Sequence, residues 1–203
     1  MRCAGNSFML VNPFQRKENG MTLPRLQTER LLLVPLSLED APAVQKLFPH
    51  WEIVRFLNNR VPWPYPEDGA LSYIRDAALP AVARGSEWHW TLRLKTSPEH
   101  VIGNISLMTE PGNNRGFWLH PDWQGHGYMS EACKVINRQW FEVMGQPLMQ
   151  VPKAAQNNAS KRISMKEGMR LVDTREDEFV GGKMMTEIWE MTKEEWLTQN
   201  PRR

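Results

Sequence analysis

The sequence predicts a single α/β domain of the α+β kind, and three observations carry that reading. The chain has 203 residues, 41% hydrophobic and 24% charged, a size and balance suited to one core. Apolar stretches of strand length alternate with stretches of helical period, punctuated by glycine and proline turns. Three of the strand-like stretches follow one another through short turns, which makes an antiparallel meander.

The elements can be justified in chain order. Residues 1–22 show no periodicity, and Met21 after Gly20 reads as an alternative start. They are expected to be a disordered extension, with the folded domain over 23–203. Arg30 to Leu36 is an apolar run suited to a strand, and Ser37 with Asp40 forms a capping box. The helix it opens places Ala41, Val44, Leu47 and Phe48 on one face. A proline-rich loop over 58–69 carries Trp63 and Tyr65, and a second helix is expected from about Glu67 to Arg84, closed by Gly85. The meander strands are Trp88 to Leu94, Val101 to Met108 and Gly116 to His120, separated by Thr96-Ser97-Pro98 and Glu110-Pro111-Gly112-Asn113-Asn114. Met129, Ala132, Cys133, Ile136, Trp140, Val143 and Met144 recur at helical spacing up to Gly145. A short strand follows at Leu148–Val151, then a helix from Asn157 to Glu167 stopped by Gly168. Two strands near Met169–Thr174 and Met184–Met191 and a tail helix from Thr192 complete the chain.

Composition excludes several classes. The net charge of +2 gives no footing for nucleic acid or an anionic membrane. No apolar run spans a bilayer, and Phe8–Val11 is too short for a signal-peptide core. Cys3 and Cys133 lie far apart, which argues against a disulfide framework. A cytoplasmic protein is the expectation. The five histidines, His50, His89, His100, His120 and His126, show no zinc-ligand spacing, so no metal is expected.

The stretch that carries chemistry runs from Trp118 to Ala132. A strand ends, a turn with Gly125 and Gly127 follows, and an amphipathic helix begins. Glycines let the backbone approach a ligand closely. The first helical N–H groups lack intrahelical partners and sit at the positive end of the helix dipole. Such a turn suits a pyrophosphate. It is not a dinucleotide fingerprint, because Ser130 stands where a third glycine is needed, and no Gly-Lys-Ser/Thr follows as in a phosphate-binding P-loop.

Gln124-Gly125-His126-Gly127-Tyr128-Met129 resembles the Gln/Arg-x-x-Gly-x-Gly/Ala motif of GNAT acetyltransferases, its first residue being Trp123 or Gln124 according to how the loop is aligned. Asn157-Asn158-Ala159-Ser160, with Lys166 and Gly168 in register and Met169 after them, looks like the Asn-x-Ala-Ser…Lys-x-Gly-Phe segment of the branch related to ribosomal-protein N-terminal acetyltransferases, the RimJ/RimL type. Thr28–Leu33 resembles the opening of that branch, and Val101–Leu107 its Ile-Gly-x-Ile-x-Leu strand. The resemblance implies a GNAT fold: a mixed, twisted, mostly antiparallel sheet of six to seven strands, helices on both faces, splayed between the fourth and fifth strands. It implies acetyl-CoA as co-substrate in the splay. Backbone N–H groups of Gln124, Gly125, His126, Gly127, Tyr128 and Met129 would hold the pyrophosphate, and Asn157 the pantetheine. Ser160 would lie near the thioester, and a backbone N–H near Trp118–Leu119 would stabilise the oxyanion.

Two departures stand out. Ser164 occupies the position of the family's frequent tyrosine acid, and Asn114-Arg115-Gly116-Phe117 replaces a customary glutamate. Ser160 becomes the candidate partner of the sulfur, while Glu110, His120 and Glu87 are candidate bases. With so weak a set of bases, the acceptor is expected to be an amine of low pKa, such as a protein N-terminus or a small amino compound. Trp63 and Tyr65 are candidates for the acceptor wall. The same departures leave open a non-catalytic CoA-binding sensor or interaction module. The Met-rich last strand and exposed tail are compatible with a homodimer.

Overall fold

The computed structural model describes residues 23–201 and the backbone of Arg16–Lys17 and Gly20–Met21. The rest of the expected 1–22 extension lies outside the described residues. Among the described residues eight strands make up the two main sheets, seven of them longer than two residues. These seven are β1 (Leu31–Pro35), β2 (Glu87–Leu94), β3 (Ser97–Met108), β4 (Arg115–Leu119), β5 (Leu148–Ala154), β6 (Arg170–Phe179) and β7 (Gly182–Thr192). β1 to β4 pair in sequence order, all antiparallel, with the two-residue strand Leu26–Gln27 on the outer edge of β1. The second sheet runs β5-β7-β6, also antiparallel.

The helices divide between the faces. Ala41–Leu47 is α1, Trp51–Val54 is α2, and α3 covers 69–84 with a π-turn at Ile74–Ala78. Tyr128–Arg138 is α4 and runs on into a π-turn at Gln139–Val143. Asn158–Lys166 is α5 and Lys193–Gln199 is α6. Met129, Ala132, Cys133 and Ile136 of α4 pack with Trp88, Trp90, Leu92, Ile105 and Leu107 in the main core. On the opposite face Ala41 and Val44 of α1 pack with Ala70, Ile74 and Ala78 of α3 and with Leu36.

The elements occur in the expected order, but β3 begins at Ser97, inside the expected Thr96-Ser97-Pro98 turn, and β6 runs on to Phe179, well past Thr174. The differences have physical causes. The Ser37–Asp40 capping box is present but opens a 3-10 turn, Leu38–Asp40, ahead of α1. The one-turn helix α2 was not foreseen. β5 continues past Val151 through Pro152 to Ala154. Proline is tolerated there because Gln150 turns its N–H and C=O towards Asn114. By alternation Pro152 turns its missing donor to that same edge, where no ladder forms.

Gly103 in β3 sits where β4 crosses closest. A Cβ there would lie 2.5 Å from the Trp118 carbonyl oxygen and 2.9 Å from Leu119 Cδ1. Gly103→Ala is therefore expected to cost about 1–3 kcal/mol or more, read as a fall in the urea midpoint. The same change at Gly116 meets only Ser106 Oγ, at 3.2 Å, and the Met108 methyl, at 3.4 Å; it should cost less.

Candidate active site

β4 and β5 touch at one place and then part. The Asn114 N–H donates to the Gln150 carbonyl, and the Gln150 N–H donates to Asn114 Oδ1, both at 2.8 Å. Beyond that link no pairing joins Gly116–Leu119 to Val151–Ala154. On the helix side the gap is plugged by a buried ionic knot. Arg115 donates to both Glu167 oxygens, at 2.9 and 2.8 Å, and to Asn137 Oδ1, while Asn137 also donates to Glu167. Arg115 thus spends its donors on Glu167 and Asn137, although it stands where the family's customary glutamate would be.

A cleft of about 1300 Å³ opens at the splay, ample for two substrates side by side. Its floor follows from strand alternation. In β2, Glu87, His89 and Thr91 alternate with Trp88, Trp90 and Leu92. In β3, Asn104 and Ser106 alternate with Ile105 and Leu107. The apolar set belongs to the α4 core, so the polar set points the other way, under α1 and α3. Register places His89 opposite Ser106 and Ser106 opposite Gly116, with Thr91, Asn104 and Trp118 in the neighbouring row. Glu87 Oε2 lies 2.7 Å from His89 Nε2, and both line the cleft.

The other wall comes from β5 and α5. Asn157 caps α5, its Oδ1 accepting from the Ser160 N–H at 3.1 Å. Ser160 and Lys153 both line the cleft, and Lys153 Nζ donates to Ser160 Oγ at 2.8 Å. Lys153 is buried and lies 5.1 Å from the Phe117 ring centroid. Burial, reinforced by the Arg115 charge, lowers its pKa to about 7. Ser164, one turn on, is fully buried with no hydrogen-bond partner for its hydroxyl among the described residues. Burial also pushes the Cys133 thiol up to about 12, so it stays protonated and inert as a nucleophile.

The glycine turn lies at the far end of β4. Gly125 and Gly127 have φ of +80° and +81°, which explains glycine at both. Among the described residues no acceptor takes the N–H groups of Gly125, His126 or Gly127. Gly127 is the N-cap of α4, so these donors and the helix dipole converge on one exposed spot. The turn is braced from outside. Arg30 donates to the His126 carbonyl at 3.1 Å and to Glu131 at 2.7 Å, and its guanidinium lies 4.5 Å from the Tyr128 ring centroid. The His126 ring stacks on Tyr128. Gln124 Nε2 donates to the Leu119 carbonyl at 2.8 Å. Because the His120 N–H bonds Ile102 in β3, alternation turns Leu119 to the open edge, its N–H facing the splay.

The remaining candidates are distributed unevenly. Trp118, Tyr65, Glu110, Asn157 and Ser160 line the cleft. Glu110 accepts from Asn113 at 2.8 Å, and Tyr65 packs edge-on to Phe48. Trp63 lies outside the lining, tilted against Trp51 at 5.6 Å between centroids. His120 is also outside it, with its Nε2 at 3.1 Å from His50 Nε2. Sequence reasoning missed His89 and Lys153. The strict polar–apolar alternation of Glu87–Leu94 was the available signal for His89. Among the described residues no cluster suited to a metal ion occurs, and no helix is long and apolar enough to cross a membrane.

A family model described as the acetyltransferase (GNAT) domain matches residues 30–170. The uncharacterized N-acetyltransferase YoaA of Bacillus subtilis is 27% identical over 154 residues, covering 72% of this chain and 83% of the relative. Among solved structures, RimL, a ribosomal alpha-N-protein acetyltransferase in complex with coenzyme A, superposes with a TM-score of 0.71 at 15% identity, covering 83% of this chain and 98% of that one. The microcin self-immunity acetyltransferase MccE, in complex with acetyl-CoA and AMP, gives 0.67 at 14%, covering 89% and 98%.

Lys153 makes stability depend on pH in a stated direction. Its pKa is about 7 folded against 10.5 ordinarily. Between these values the unfolded chain carries a proton that the folded chain lacks, so stability rises with pH. The rise ends as Cys133 begins to ionise in the unfolded chain, whose ordinary value is 9.0. Urea midpoints should therefore climb from about pH 7 to about pH 9, and Lys153→Met should flatten the climb.

Proposed function

The chain belongs to the acetyltransferase (GNAT) domain family, and from that premise we propose that it is an acetyl-CoA-dependent N-acetyltransferase. It moves the acetyl group directly to an amine of low pKa, such as a protein or peptide N-terminus or a small amino compound. The observation that carries the reading is the parting of β4 and β5 beside a turn whose donors have no acceptor among the described residues.

Each substrate has a place consistent with the residues present. The pyrophosphate suits the Gly125–Met129 turn, where backbone N–H groups and the α4 dipole favour an anion. The pantetheine follows the open edges of β4 and β5, where strand backbone offers unpaired donors and acceptors and Asn157 a side-chain amide. Ser160 then lies at the sulfur and the Leu119 N–H at the carbonyl oxygen, a donor already fixed by the sheet. The acceptor amine comes over the polar floor of β2 and β3, walled by Tyr65.

Direct attack fits the inert thiol of Cys133, which stays protonated beneath the splay. The amine must lose one proton as it attacks. The Glu87–His89 pair is placed to take it, since both groups line the cleft on the acceptor side. An α-amine has an ordinary pKa of about 7.7–8.0, so roughly a quarter is neutral near pH 7.4, whereas a lysine side chain near 10.4 is almost wholly protonated. A modest base therefore suffices for an α-amine.

RimL is named for an α-amino acceptor on a ribosomal protein, and MccE for immunity to a microcin. Both superpose on this chain to a similar degree, so the fold alone does not select the acceptor.

Acetyl-CoA and CoA should each raise the melting temperature by mass action, ATP and NADH should not, and Gly127→Val should abolish the shift by straining a φ of +81°. A protein indifferent to CoA compounds would end this reading. In turnover assays, peptides with a free α-amine should outpace the same peptides N-blocked but carrying lysine. Glu87→Gln should lower kcat by about 10²-fold or more, with the deficit narrowing as pH rises and more acceptor is already neutral.

A further inference from the structure

Among the described residues, Lys153 is a buried cation of the site that has no carboxylate within ion-pair distance. Glu167 is taken in bidentate fashion by Arg115. Lys153 Nζ has Ser160 Oγ at 2.8 Å and the face of Phe117 at 5.1 Å. A desolvated ammonium without a counter-ion is costly. A strongly perturbed group in a cleft is a functional candidate on physical grounds. The bond has a direction that matters. An ammonium has only protons to give, so Ser160 Oγ accepts from Lys153 and its own hydroxyl proton is free to point into the cleft. The Ser160 backbone N–H is fixed by Asn157, which leaves the side chain little freedom to turn away. The other hydroxyl on that helix face, Ser164, is buried and reaches no partner among the described residues.

We propose that Lys153 is the positioning residue and proton reserve behind Ser160, recharging the serine as it protonates the departing CoA thiolate. This rests on the acetyl-CoA reading above. When the tetrahedral intermediate collapses, the C–S bond breaks and its electron pair stays on sulfur. Sulfur takes the Ser160 hydroxyl proton, and Ser160 Oγ takes one from the Lys153 ammonium. Lys153 is left as a neutral amine and Ser160 is restored. The proton lost by the acceptor amine has gone to the opposite wall of the cleft, and Lys153 recovers one from solvent through the cleft after CoA leaves. The books balance as amine plus acetyl-CoA giving amide plus CoA thiol. A lysine that titrates near neutrality suits this role, because a proton donor works best when its pKa lies near the operating pH. The neighbouring Arg115 charge helps the ammonium give its proton up.

The test needs no knowledge of the acceptor. Protein carrying ¹⁵N-labelled lysine is titrated with pH while bound to CoA or to S-ethyl-CoA, which keeps the same phosphates but has no titratable proton on sulfur, and the Lys153 Nζ resonance is followed. Binding of both ligands is first established by calorimetry. In the S-ethyl-CoA complex a single step is expected. In the CoA complex a second step should appear about 1–3 units higher, because a thiolate within a few ångströms retains the ammonium. Ser160→Ala should narrow the gap between the two curves by removing the hydroxyl that holds Lys153 towards the sulfur, with the lysine still present. Identical curves in the wild-type complexes, with both ligands bound, would overturn the proton reserve alone. Failure of CoA to bind would take the underlying acetyl-CoA reading down with it.

Discussion

Everything distinctive about this molecule follows from two strands that meet and then separate. A continuous sheet across β4 and β5 would satisfy every backbone group and leave no room for a ligand. Instead the Asn114–Gln150 link is the last pairing, and the strands diverge from there. Divergence exposes unpaired backbone, which is unfavourable in a protein interior unless something takes up the donors and acceptors. The chain covers the cost on the helix side with the Arg115–Glu167–Asn137 knot and at the strand end with Gln124 on the Leu119 carbonyl. What remains open faces the cleft.

The same constraint explains why polar residues lie in the middle of the sheet. His89, Thr91 and Ser106 are all buried, yet they sit on a face covered by α1 and α3. A sheet with one polar face normally turns it to water. Here the helices roof it at a distance, anchored on Ala70, Ile74 and Val44, and the space between becomes the cleft.

The fold and half of the site could be read from the residues, for identifiable reasons. The glycine turn announces itself because only glycine tolerates a φ near +80° twice in three residues. Asn157 reads as a cap, and Ser160 enters only through the resemblance of Asn157–Ser160 to the family's Asn-x-Ala-Ser segment. The acid–base groups were harder. Glu87 was visible as an acid near a strand start, but its partner His89 needed the register that faces it into the cleft. Lys153 was hidden behind Pro152, which reads as a strand end. That proline fits because the edge it occupies has lost its neighbour, a fact of tertiary structure. Met149, Val151 and Lys153 share one face of β5, and a lysine in that series is the signal that a longer strand would have revealed.

Charge then orders the site. Arg115 and Lys153 are both buried beneath the splay, and two cations so close cannot both be left unneutralised. Glu167 offers one bidentate site, and a planar guanidinium matches a carboxylate where an ammonium does not. Arg115 therefore claims it and remains charged. Lys153 is left with a hydroxyl and an aromatic face, neither of which fully replaces water around an ammonium. Its charge becomes conditional on pH and on whatever occupies the cleft. A neutralised arginine fixed in the knot holds the architecture, and a lysine of variable charge beside it leaves the site one proton that it can give away.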